Sequence, residues 1–153
     1  MLDLLWRGVG VLYTSDRERE VAQRIASSIL SIGVPVVVGR VRDFDLDRVW
    51  PCYDAFIFIS PVSAAVRLVC GRLTHKSRDP PVVVVDPGAT YAVPIVGAHW
   101  GGNEIAQELS KLLNLQPVIT TASELYSVLS VEQIARLLHC SIENIEEASV
   151  FDQ

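Results

Sequence analysis

The residues best suited to chemistry stand together at Gly97-Ala98-His99-Trp100-Gly101-Gly102-Asn103. A histidine exchanges a proton near neutral pH, and the tryptophan beside it offers a flat apolar surface. Adjacent glycines allow close backbone approach, and where they open a helix the first N–H groups can cradle a carboxylate or a developing oxyanion. These features together suit a large planar acid. They also fit glycines that serve helix–sheet packing and a histidine hydrogen-bonded at a turn, and spacing alone does not separate the two readings. The segment lacks the GxGxxG spacing of a dinucleotide fingerprint and the Lys-Ser/Thr ending of a phosphate loop.

A second group is Arg67, Lys76 and Asp79. The guanidinium fork of Arg67 can grip a carboxylate, Lys76 can add a more mobile charge, and Asp79 can orient either base. The alternative pairs Arg67 with an acid at a helix end and leaves Arg72 and Arg78 on the surface. Asp86 closes a valine run, a common position for functional groups in open α/β sheets, although such a side chain can simply cap a turn. Thr120 and Thr121 end a later strand and fit the same sheet end or a structural role. No nucleophile elbow supports a Ser-His-Asp triad.

These groups need a scaffold, and the pattern supplies one. Gly8–Tyr13, Val36–Val38, Ala55–Ser60, Pro81–Asp86 and Pro117–Thr120 read as strands, and Tyr91–Val96 as a strand or an irregular segment in which Pro94 argues against a central place. Helical spacing begins at Val21 behind an Asp16 cap, after Pro61, from Asn103 to Leu113, and from Ser130 to Leu138. The alternation predicts a three-layer Rossmann-like α/β sandwich with a mostly parallel sheet of about five strands. Residues 1–123 form the α/β domain, and residues 124–153 a short acidic helical extension or the start of a further domain.

Composition narrows the function. The 153 residues are 50% hydrophobic and 20% charged, which excludes wholesale disorder. The net charge of −5 falls entirely within residues 124–153, so a neutral body gives no general attraction for nucleic acid or an anionic membrane. Cys52, Cys70 and Cys140 form no CxxC pair, which argues against a zinc knuckle and for a reducing, cytoplasmic setting. The longest apolar run, Pro80–Val85, is far short of the roughly 20 residues that span a bilayer.

Five segments in order resemble the N-terminal region of the CbiG family of cobalamin biosynthesis. They are Ser60-Pro61-Val62-Ser63-Ala64-Ala65-Val66-Arg67, Lys76 through Asp79-Pro80, Val82–Asp86, His99-Trp100-Gly101-Gly102-Asn103-Glu104, and Pro117-Val118-Ile119-Thr120-Thr121-Ala122. The resemblance is strong over residues 55–123 and weaker over 8–54. It implies a cobalt-precorrin-5A hydrolase, or its N-terminal part, which opens the δ-lactone and releases acetaldehyde to give cobalt-precorrin-5B. It implies no separate cofactor or protein metal site, because the macrocycle carries the cobalt. On this reading His99 transfers a proton, Asp86 orients water or His99, and the Gly101-Gly102-Asn103 backbone forms the anion cradle. Arg67, Lys76, Asp79, Trp100, Thr120 and Thr121 then hold the substrate. Ser63 and Ala98 depart from the glycines expected there. Family members also carry a middle region and a C-terminal domain. A noncatalytic tetrapyrrole-binding or protein-interaction module, working with a C-terminal partner or a second copy, is the alternative.

Overall fold

The computed structural model describes residues 5–122, 129 and 131–143. The chain divides into two compact units, residues 1–118 and 119–153. The first holds six strands: β1 (Val9–Tyr13), β2 (Val36–Arg40), β3 (Ala55–Ile59), β4 (Val82–Val85), β5 (Tyr91–Val96) and β6 (Gln116–Pro117). It also holds the helices α1 (Arg19–Ser31), α2 (Leu46–Val49), α3 (Val62–Val69) and α4 (Gly102–Leu113). In the second unit the described helix is α5 (Val131–Leu137). The acidic stretch from residue 144 onward, expected to be a loose tail, lies outside the described residues.

The strands form one sheet in the order β2-β1-β3-β4-β5-β6. Strands β1 to β4 run parallel, as the alternation of strands and helices requires. Side chains alternate across the sheet, so Phe56 and Phe58 pack with Leu12, Val82 and Val84 against Leu46 and Trp50 of the α2 region and Ala65 and Val69 of α3. On the opposite face Val9 and Ile57 meet Ile29 of α1 and Ile105 and Leu109 of α4. Every residue of β3 and β4 is buried, which accounts for their continuous apolar runs. These are the three layers of a Rossmann-like sandwich.

Strand β5 departs from the parallel expectation. It runs antiparallel to β4, pairing Val85 with Ala92 and Val82 with Val96, with an irregularity between Val82 and Val83. Strand β6 pairs with β5 only at Tyr91 and Ala92, shorter than the Pro117–Thr120 strand expected. Pro94 therefore lies beyond the β6 ladder and next to a bulge, where a missing N–H is tolerated.

Two helix starts also differ from the sequence expectation. Ser15, not Asp16, caps the turn before α1, in a reciprocal capping box with Glu18. The Glu18 carboxylate is buried and accepts from the Thr14 N–H, the Thr14 hydroxyl and the Ser15 N–H at 2.8–2.9 Å. The cap of α4 is Gly101 at φ 116°, while Asn103 sits wholly buried within the first turn.

Candidate functional site

Chain direction decides which loops meet. Because β5 is reversed, the segment leaving it arrives where β4 begins. Pro80-Pro81 and the Gly97–Trp100 turn are thus neighbours: a Cβ on Gly97 would lie 3.0 Å from the Pro81 Cα. Arg7 before β1 and Asp54 before β3 reach the same amino end of the parallel strands, joined by the Asp54 N–H donating to the Gly8 carbonyl at 2.9 Å.

The His99 turn is built from backbone that needs glycine. Gly97 is left-handed at φ 62°, and its carbonyl accepts from the N–H groups of both Trp100 and Gly102 at 2.9 Å. Gly101, Gly102 and Asn103 are buried. A Cβ on Gly102 would stand 3.1–3.3 Å from Gly97, Val96 and Pro94, so this glycine brings α4 tight against β5. At the expected anion cradle, Gly101-Gly102-Asn103, the Gly102 N–H is already spent on Gly97 and all three residues are buried. His99 and Trp100 remain half-buried at its margin.

Beside this turn lies a recess of about 440 Å³, within the usual range for small-molecule pockets. Its aromatic wall is Trp50, Tyr53 and Trp100. Phe56 anchors two of these rings, stacking on Trp50 at 5.1 Å and meeting Tyr53 edge-on at 5.7 Å. The indole N–H groups of Trp50 and Trp100 are buried without an acceptor among the described residues. Its polar wall brings Arg7, Arg72 and Arg78 together with Asp54, Thr74, Ser77 and Asp79.

Most of that polar wall is already engaged. Arg7 donates from Nε to Asp54 Oδ1 at 2.7 Å and from Nη1 to the Pro51 carbonyl at 3.0 Å. Arg72 Nε lies 2.8 Å from Asp47 Oδ1, and Arg72 Nη1 donates to the Leu68 carbonyl. Asp79 is buried and accepts from the Thr74 N–H and hydroxyl at 2.8–3.1 Å, which clasps the loop before β4. Arg78 is exposed and pairs with no acid among the described residues.

The expected site residues divide. Asp79 and Trp100 line the recess, His99 adjoins it through Trp100, and Lys76 lies on the exposed loop that carries Arg78. Arg67 is exposed in the last turn of α3 and is not among the lining residues. Asp86 follows the far end of β4, and its oxygens accept from the N–H groups of Gly88, Thr90 and Tyr91 at 2.6–3.1 Å. Asp86 therefore closes the β4–β5 turn and cannot orient His99, which lies at the opposite end of the hairpin. Thr120 and Thr121 belong to the second unit. Arg72 and Arg78 belong to the basic stretch Arg67–Arg78 that the sequence offers as a local basic pocket, whereas Arg7, Trp50 and Tyr53 were not anticipated, because they join it only when the starts of separate strands align. Among the described residues no group of three His, Cys, Asp or Glu could hold a metal ion, and no helix is long and apolar enough to cross a membrane.

Comparison with known proteins assigns this fold to a lineage. Residues 45–124 match the family model described as cobalamin synthesis G N-terminal. A cobalt-precorrin-5A hydrolase of Priestia megaterium is 35% identical over 95 residues, covering 61% of this chain and 25% of that protein. The Salmonella typhimurium cobalt-precorrin-5A hydrolase is 31% identical over 97 residues, covering 63% of this chain and 28% of that protein. The match thus spans about a quarter of these curated relatives. A crystal structure described as a cobalamin biosynthesis protein G homolog from Sulfolobus solfataricus superposes with a TM-score of 0.76 at 35% identity. That superposition covers 99% of this chain and 46% of the homolog. The matched family model spans more than half of the residues, including the β4 start, the His99 turn and the loop between them, and the chain belongs to the cobalamin synthesis G N-terminal family.

Proposed function

We propose that this chain supplies the substrate-holding part of a cobalt-precorrin-5A hydrolase. The observation that carries the reading is a recess with an aromatic wall and an arginine rim, at the sheet end where the His99 turn emerges. Its volume accommodates one side of a tetrapyrrole and leaves the rest of the ring outside. Trp100 offers a ring face to the macrocycle, and Arg78 meets its peripheral carboxylates. The cobalt arrives with the substrate.

In the reaction proposed, water adds to the lactone carbonyl and the acyl carbon–oxygen bond breaks, leaving a carboxylate and a free hydroxyl. Loss of the hydroxyl proton then expels the two-carbon fragment as acetaldehyde. The electron pair of the broken carbon–carbon bond passes into the macrocycle. On this reading His99, which adjoins the recess through Trp100, accepts that hydroxyl proton, a contribution worth about a hundredfold or more in rate.

Conversion of purified cobalt-precorrin-5A, followed by acetaldehyde release, tests the reading with the chain alone and with a C-terminal partner added. Turnover that falls at least about a hundredfold in a folded H99A variant supports the role given to His99. An unchanged rate in that variant removes it.

A second reading, a tetrapyrrole-binding or interaction module that works with another polypeptide, draws on α5. Val131 and Ile134 in the helix and Leu138 just after it are 38%, 43% and 66% exposed, and an apolar face of that kind suits a partner. Binding of the macrocycle without product, in the presence and absence of a partner, favours the module.

A further inference from the structure

We infer that Arg78 is the residue by which this recess selects ligands that carry carboxylates, with Arg7 and Arg72 serving as fixed wall. The inference rests on the tetrapyrrole reading above and deepens it by assigning the charge selection to one side chain. Three guanidinium groups line the recess, and they are not equivalent. Arg7 is matched by Asp54, whose second oxygen takes the Arg7 backbone N–H at 2.6 Å. Arg72 is held by an ion-pair contact from Nε to the exposed Asp47, without hydrogen-bond geometry, and by a hydrogen bond from Nη1 to the Leu68 carbonyl. A ligand carboxylate that drew on either would have to displace a partner already in place, so most of its gain would be cancelled.

Arg78 has no such partner among the described residues. Its neighbour Asp79 makes no ion pair with it and instead accepts from the Thr74 N–H and hydroxyl. The backbone beneath Arg78 is nevertheless held. The N–H groups of Arg78 and Asp79 both donate to the His75 carbonyl at 2.9–3.0 Å, and Ser77 Oγ lies 2.7 Å from His75 Nδ1. A pinned loop therefore presents a movable planar fork, the geometry that takes a carboxylate through two parallel hydrogen bonds. A flat ring against Trp100 with a carboxylate on its rim satisfies both features at once. A neutral flat ring gains only the aromatic contact.

Calorimetric titration with uroporphyrin III, an acidic tetrapyrrole, tests this directly in the full chain. Wild-type protein is expected to bind, and R78A to bind about tenfold more weakly or worse, the loss expected for a charge-assisted contact. R78K is expected to recover only part of the affinity, since a point charge lacks the fork. R24A removes an exposed charge on α1 and serves as the control, with affinity unchanged. Circular dichroism confirms that each variant is folded. Binding by R78A within twofold of wild type overturns the role of Arg78 while leaving the tetrapyrrole reading in place. An equal loss in R24A likewise overturns it, by showing a general charge effect. Absence of wild-type binding overturns the role and the reading together.

Discussion

The two ends of strand β4 carry the same residue type to different ends. Asp79 precedes the strand and accepts from the Thr74 N–H and hydroxyl, and Asp86 follows it and accepts from the N–H groups of Gly88, Thr90 and Tyr91. Around Asp86 there is only a tight turn. Around Asp79 there are two tryptophans, a tyrosine and three arginines enclosing a recess. Open parallel sheets ordinarily place ligands beyond the carboxyl ends of their strands. Here the reversed β5 delivers the His99 turn to the amino end, so chain direction and not residue identity sets this turn beside the recess.

This contrast can be broken in several ways. The largest effect is expected from G97V, which forces a β-branched residue into a left-handed backbone and against Pro81. A loss of about 3 kcal/mol, read from urea unfolding, would show that the His99 turn depends on this joint. D86A removes the acceptor of three N–H groups and should cost about 2 kcal/mol in the same measurement. Its turnover per folded molecule should be unchanged, and a folded D86A protein without turnover would return the chemistry to the carboxyl end. W100A should weaken uroporphyrin III binding roughly fivefold, the worth of one aromatic contact of about 1 kcal/mol. The smallest effect is expected from R67A, because Arg67 is exposed and outside the recess lining. A measurable loss of affinity there would extend the binding surface along α3.

Much of the scaffold was legible. The valine run of β4 and the Ala55–Ile59 run announced strands covered on both faces, and the apolar spacing at Ile25 and Ile29 announced α1. The reversal of β5 had a signal that periodicity does not carry. The link from Asp86 to Thr90 is far shorter than the roughly dozen residues a parallel crossover needs, so its length alone requires a hairpin. The glycine pair marked the right turn but not its use, because sequence cannot show that Gly97 consumes the Gly102 N–H. The recess was the least legible part. Arg7, Trp50 and Arg72 share no local pattern and meet only through the register of β1, β3 and β4.

The hairpin of β4 and β5 also bears on how the two walls of the recess come into being. Contact between Pro81 and Gly97 closes a short loop, whereas Arg7 and Trp50 reach the same place only after distant stretches of chain have met. Local closure costs less chain entropy and is favoured early in folding. Chain entropy thus favours the wall bearing Trp100 as the local part of the recess, and the remaining wall depends on the pairing of the central strands.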